Sequence, residues 1–227
     1  MSEAVKADLA RIKPQLPCYY HPHPVYDHFG EALPKEEAKA QLSLDPAKHT
    51  LLFFGLIRSY KGLDLLLEAF KQLPADYELL VAGEVYGDEA PYQQQIAGHE
   101  AENRVHLHLR YIDDQEVPVF YSAADLNVLP YRSATQSGIL AVALHFEVPV
   151  VATETGGLRE VVEQADIGLI ASAADPDAIA AAIQAFFWSK APETMAANIR
   201  AYKDSHSWKE MAKQIGAFTE ELTSAAH

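Results

Sequence analysis

Cysteine is almost absent. Cys18 is the only one in 227 residues, which excludes an internal disulfide and a cysteine-rich zinc site. Positive charge is also short, with 18 Lys and Arg against 32 Asp and Glu and a formal net charge of −14. Nucleic acid asks for a basic face, as does an anionic membrane surface, so neither partner is favoured globally. Long apolar runs are missing too. The opening MSEAVKADLARIKPQ has no apolar signal core, and no stretch reaches the length of a transmembrane segment. These absences leave a reducing, cytoplasmic, soluble protein as the plain expectation.

What is present suits a packed core. Hydrophobic residues make up 49% of the chain, and the 22% that are charged are spread along it rather than gathered in a tail. The first fifty residues stand apart. SEAVKADLARIK sets Val5, Leu9 and Ile12 on one helical stripe, PQLPCYYHPHPVYDHFGEALP is proline-rich and reads as extended, and KEEAKAQLSLD reads as a short polar helix. From Leu51 onward the pattern is regular. Short apolar segments at 51–54, 79–81, 105–107, 126–129, 148–151 and 169–170 read as buried strands. Helical stretches separate them, the clearest with Leu63, Leu66, Leu67 and Phe70 at i, i+3, i+4, i+7. Such alternation predicts right-handed crossovers, hence an α/β fold: a Rossmann-like, doubly wound parallel sheet of about six strands with a helical carboxyl-terminal tail. In the tail, Asp175-Pro176 caps one helix, and Ser207 with Glu210 forms a capping-box pattern before another. The expected division is 1–49 helix and linker, 50–187 sheet domain, and 188–227 helices packed on it.

Ligands of open parallel sheets bind outside the carboxyl ends of the strands. GLIRSYKG, from Gly55 to Gly62, falls there. Gly55 permits a tight turn, Gly62 opens the next helix, and Arg58 and Lys61 supply two cations for an anion. Neither the Walker spacing nor the Gly-x-Gly-x-x-Gly fingerprint is met. Solvated cations on an ordinary strand-to-helix turn remain the plainer alternative. In PYRSATQSGIL, Thr135, Gln136, Ser137 and Gly138 precede an apolar helix whose free N–H groups favour an anion, although Ser137 also serves as a simple N-cap. TETGGLREVV sets Gly156-Gly157 between a strand and a helix. Each turn alone is weak. Together they converge on one crevice.

The ordered series FFGLIRSYKGLDLLLEAF, YELLVAGE, VHLHLRYIDDQEVPVFYSAADLNVLPYRSATQSG and EVPVVATETGGLREVV resembles the carboxyl-terminal half of family-four glycosyltransferases. HPVYDHFGE resembles the segment that leads into that half in some members. The resemblance implies one half of a GT-B fold, in which this half binds a nucleotide-sugar donor such as a UDP- or GDP-sugar. Arg58 and Lys61 would then grip the donor's diphosphate and stabilise it as it leaves. Tyr111 and Ile112 would border the base beside Arg110. Thr135, Gln136, Ser137 and Gly138 would hold sugar and phosphate, and Gly55 and Gly157 would line the donor's path. The reaction implied is a retaining, metal-independent sugar (hexosyl) transfer with no cofactor. The family's Glu-x(7)-Glu pair is missing, its positions falling on Ala134 and Val142. An amino-terminal acceptor domain is implied as a further partner, absent from this chain, and the full-length enzyme is implied to be peripheral at the inner membrane.

Other residues read more plainly. His106 and His108 alternate on a strand without a third metal ligand, and His21 and His23 belong to the linker. His145 closes an apolar helix face as an edge histidine, and Cys18 lacks a histidine or acid that would activate it. Glu84 is a candidate to line the crevice, while Asp113, Asp114 and Glu116 read as acids at a helix start. Two further readings stay open: a non-catalytic glycosyltransferase-like interaction module, which Ala134 and Val142 favour, and another Rossmann-like nucleotide binder such as half of a sugar-nucleotide epimerase.

Overall fold

A computed structural model describes residues 3–26, 28–134, 136–189 and 192–225. Helices α1 (Glu3–Ile12) and α2 (Lys35–Gln41) flank the extended proline-rich segment. The regular part then runs β1 (His49–Phe54), α3 (Leu63–Phe70), β2 (Tyr77–Ala82), α4 (Ala90–Ile96), β3 (Val105–His108), α5 (Val117–Ala123), β4 (Leu126–Leu129) and α6 (Gly138–His145). It continues through β5 (Val150–Thr153), α7 (Gly156–Gln164), β6 (Gly168–Ala171) and α8 (Pro176–Ser189) to α9 (Pro192–Ser205) and α10 (Trp208–Ala225).

The six strands form one parallel sheet in the order β3-β2-β1-β4-β5-β6. Alternate residues feed opposite faces, which is why the strands read as continuous apolar runs. Leu51 and Phe53 of β1 join Leu79 and Val81 of β2 under α3 and α8, whereas Leu52, Phe54, Leu80 and Ala82 pack on the other face with α5 and α6. Val150 and Ala152 of β5 complete that second face with Leu158 and Val162 of α7. Helices therefore cover both faces of the sheet, with only its outer strands half-buried, and its polar backbone ends are left to face water or a ligand.

Local signals account for most boundaries. Asp175 Oδ1 accepts the N–H of Ala178 at 2.8 Å, and Ser207 Oγ accepts that of Glu210 at 3.2 Å, so both expected caps form. The return half of the second cap is diverted, because the Glu210 carboxylate accepts from Gln214 and pairs with Lys213. β5 begins two residues later than its apolar run, at Val150 rather than Val148. The cause is backbone chemistry: Val148 N–H closes the end of α6 on Ala143 O at 2.9 Å, and Pro149 has no N–H to give the sheet.

Candidate functional site

Chain order reverses between β1 and β4, and at such a switch point the crossovers leave on opposite sides and open a crevice. A cavity of about 590 Å³ lies there, lined by Gly55, Gly83, Glu84, Tyr111, Ile112, Asp114, Gly138, Ile139 and Val142, among others. Its floor is largely backbone. Gly55 has φ +93° and Gly83 φ +150°, and a Cβ on Gly83 would lie 2.1 Å from the Gly55 carbonyl oxygen. Pairing between β1 and β2 continues past the strands, since Ile57 N–H donates to Glu84 O and Tyr86 N–H to Ile57 O. The loop that carries the two cations is thereby fixed as an extension of the sheet.

Lys61 ends a single 3₁₀ turn, and Gly62 follows in the left-handed region at φ +70°. Only glycine fits there, because a Cβ would lie 2.0 Å from the Pro130 carbonyl oxygen. The close approach presses the β1 loop against the β4 loop. Arg132 locks the two together: its N–H donates to Tyr60 O at 2.7 Å, and its guanidinium donates to Ser59 O and, in fork fashion, to Asp64. Lys61 is left 8% exposed, with its Nζ 3.4 Å from where a Gly55 side chain would begin and 5.7 Å from the Tyr131 ring. Among the described residues no carboxylate or carbonyl partners that ammonium. Burial, reinforced by the Arg58 charge, lowers its pKa from 10.5 to about 8. Arg58 itself is exposed and lies over the Tyr86 ring at 4.4 Å, beside the cavity rather than in its wall.

Helix α6 points its amino terminus at the same crevice. Ser137 caps it, its Oγ accepting Leu140 N–H at 3.3 Å and standing 3.3 Å from Tyr131 Oη. Burial pushes the Tyr131 phenol well above its ordinary value, so that hydroxyl stays protonated. First-turn N–H groups, free of intrahelical acceptors, and the helix dipole both favour an anion at this end.

The structure brings Gly55, Tyr111, Ile112 and Gly138 into the main cavity, with Lys61 beside Gly55. Gln136, Ser137, Gly138 and Gly157 line a second, smaller space of about 60 Å³ beneath Tyr20, Pro22 and His23, so Gly138 links the two. Thr135 lies outside the described residues. Ile112 is 7% exposed and Tyr111 64%, so the pair offers an apolar wall and an open ring. Glu84 lines the cavity as expected. Asp114 does so too, against the expectation of a helix-start acid, because α5 begins only at Val117. Glu116 occupies the N-cap position without capping; its carboxylate takes two bonds from Arg110 at 2.5 and 2.8 Å. Arg110 holds that carboxyl down to about 2.

Sequence reasoning missed Tyr26, His28 and Phe29, which reach the cavity from the extended segment, and Ile139 from α6. Tyr26 Oη lies 3.4 Å from where a Gly138 Cβ would be. No local pattern announces such a contact, since the partners are far apart in the chain. His106 faces Glu78 at 3.3 Å and His108 packs on Phe120, and no group of three His, Cys, Asp or Glu among the described residues is placed to hold a metal ion. His145 bonds Gly30 O at 2.8 Å as an edge histidine. No described helix is long and apolar enough to cross a membrane.

Known proteins share this arrangement. The family model described as "Glycosyl transferases group 1" matches residues 34–214. A lipopolysaccharide core biosynthesis mannosyltransferase, LpsB, of Rhizobium meliloti is 32% identical over 164 residues, covering 70% of this chain and 47% of that protein. A D-inositol 3-phosphate glycosyltransferase of Geodermatophilus obscurus is 31% identical over 206 residues, covering 83% and 45%. The chain thus spans about half the length of these curated relatives. Among solved structures, sucrose-phosphate synthase from Thermosynechococcus elongatus superposes with a TM-score of 0.78 at 25% identity, over 99% of this chain and 58% of that one. Anabaena HepE, solved in complex with UDP-glucose, shares the fold with a TM-score of 0.78 at 20% identity, over 98% and 62%.

Proposed function

The chain belongs to the glycosyl transferases group 1 family, and from that premise we propose that it is the donor-binding half of a retaining, metal-independent hexosyltransferase. The observation that carries this reading is Lys61: a buried cation with no carboxylate or carbonyl partner among the described residues, beside a glycine-floored cavity at the switch point. A buried charge without a counter-ion is costly, and an anionic ligand removes that cost. The anion proposed is the diphosphate of a nucleotide sugar.

In this reading Lys61 and Arg58 face the diphosphate, together with the amino terminus of α6 and the polar groups of Thr135, Gln136, Ser137 and Gly138. Tyr111 and Ile112 border the base, while Gly55 and Gly157 let backbone approach the ligand. As the bond from the sugar's anomeric carbon to the diphosphate breaks, negative charge grows on the departing oxygens. Cations already fixed in place stabilise it without reorganisation, which is electrostatic catalysis of leaving-group departure. The acceptor is held by polypeptide outside these residues, so efficient transfer needs both halves closed on the substrates.

Calorimetric titration of the chain with UDP, GDP and their sugar conjugates tests the donor site. One diphosphate should bind saturably, and Lys61→Ala together with Arg58→Ala should weaken it about a hundred-fold or more. Unchanged affinity in that double variant would remove the assignment. Failure of every nucleotide to bind would favour the interaction-module reading, in which Val142 simply fills the crevice.

A further inference from the structure

We propose that Asp114 makes the cavity selective for a guanine base, so that the donor is a GDP-sugar rather than a UDP-sugar. The inference rests on the nucleotide-sugar reading above and concerns only which base the site takes.

The layout of the sheet gives the base its place. Lys61 and the α6 terminus gather at the ends of β1 and β4, whereas Asp114 follows β3, two strands away in the sheet order. Neighbouring strands are about 4.8 Å apart, so the β3 loop lies roughly 10 Å from the end of β1. A ribose bridges a gap of that size between its diphosphate and its base. Buried Lys61, which has no carboxylate or carbonyl partner among the described residues, marks the anion end, and the opposite end of the same cavity receives the base.

The charges at that end are of one sign. Glu84 and Asp114 line the cavity, and among the described residues no lysine or arginine does. Arg110, the cation of the β3 loop, is committed to Glu116 in a forked pair and also donates to Tyr111 O at 2.9 Å. Glu116 accepts Asp113 N–H at 3.2 Å as well. These bonds close the loop from Arg110 to Glu116 and fix the backbone on either side of Asp114 before any ligand arrives. Ile112, on the same loop, is nearly buried and lines the cavity, offering apolar contact to a base.

A carboxylate has two acceptor oxygens and no donor. Guanine presents N1–H and the N2 amine side by side, which matches both oxygens at once. Uracil offers a single N–H between two carbonyl oxygens, so a carboxylate facing it gains one bond and meets repulsion from both sides. Hypoxanthine keeps N1–H and lacks the amine. A site built on a paired contact discriminates by about ten-fold to a hundred-fold for each pair lost, and the repulsive element strengthens the preference against uracil.

The test titrates the full chain with GDP, IDP, UDP and xanthosine diphosphate, then repeats the series with Asp114→Asn, Glu84→Gln and Lys61→Ala. Asp114 is exposed and has no side-chain partner among the described residues, so its amide variant should melt with the parent chain. GDP should bind at least ten-fold tighter than IDP and UDP. Asp114→Asn should lose at least ten-fold in GDP affinity, gain UDP affinity as the repulsion from the uracil carbonyls is relieved, and gain xanthosine diphosphate, whose C2 carbonyl suits an amide donor. Equal GDP and UDP affinities, or a GDP preference untouched by Asp114→Asn, would overturn the proposal. A preference that moves with Glu84→Gln instead would overturn it equally. If Lys61→Ala abolishes binding in those cases, the donor-site reading stands and only the base assignment falls. If none of the four diphosphates binds, both fall.

Discussion

Two lysines have buried side chains among the described residues, and they sit at opposite ends of the sheet. Lys39, 3% exposed, lies at the amino edge, where its Nζ donates to Lys48 O at 2.6 Å and stands 3.7 Å from Asp125 Oδ2. Asp125 in turn accepts from Lys35 and from the N–H of Thr50. Lys61, 8% exposed, lies at the carboxyl edge with none of this. One is a finished structural contact and the other an open valence. Burial alone therefore says little about function; the count of partners around a buried charge separates a brace from a binding group.

That contrast is open to direct attack. The largest effect on folding is expected from Lys39→Met, which strands two carbonyls and removes a partner from Asp125. Denaturant unfolding should show a loss of about 3 kcal/mol, while nucleotide affinity of the folded fraction stays put. A stability cost below about 0.5 kcal/mol would mean that the network is not a brace. Lys61→Met should do the opposite, raising stability near pH 7 on the order of 2 kcal/mol while binding is lost.

The same lysine sets a pH window. Its proton leaves the folded chain near pH 8, against an ordinary value of 10.5, so between those limits the folded state holds fewer protons than the unfolded one. Stability should accordingly climb with pH from about 8 to 10.5, and diphosphate affinity should fall over the range in which the ammonium discharges. Melting curves and titrations at stepped pH, compared with Lys61→Met, check both slopes. A flat profile in the parent chain would break the argument.

The smallest expected effect belongs to Arg132→Ala. Its pair with Asp64 is half-exposed and adds little to stability, yet it ties Ser59 and Tyr60 to the β4 loop. Nucleotide affinity should drop about five-fold, since charged hydrogen bonds that fix a loop are worth a modest amount each. An unchanged affinity would show that the Gly62–Pro130 contact holds the loop alone.

The fold was largely legible because its signals are local. Leu63 to Phe70 carries the full helical stripe, and Leu126–Leu129 stands in the structure as read. Where local chemistry competes, the structure departs from the apolar pattern: Pro149 delays β5, whereas Glu116 stands at the start of α5 as expected, its carboxylate paired with Arg110. The site divides in the same way. Arg58 stands outside the cavity wall, whereas Gly55 and Gly138, which line the cavity, and Lys61 beside Gly55 follow from turn composition at strand ends. The aromatic residues Tyr26, His28 and Phe29 do not, because they reach the cavity from an extended segment that carries no periodic signal. Asp114 reads from the sequence as an acid for the dipole of α5, because no local signal shows that the helix starts three residues later, at Val117.

The glycine floor has a bearing on redesign. At Gly83 an added methyl would lie 2.1 Å from the Gly55 carbonyl oxygen, and at Gly62, in the adjoining loop, 2.0 Å from that of Pro130; at Gly55 it would meet only the end of the Ile139 side chain. Peptide groups built to that tolerance offer a designer no variables. Combinatorial libraries are therefore best spent on the rim, at Glu84, Tyr111, Asp114 and Ile139, where side chains rather than backbone line the cavity. Diversity placed in the floor would mostly return unfolded clones. Diversity on the rim samples chemistry on a chassis that stays rigid.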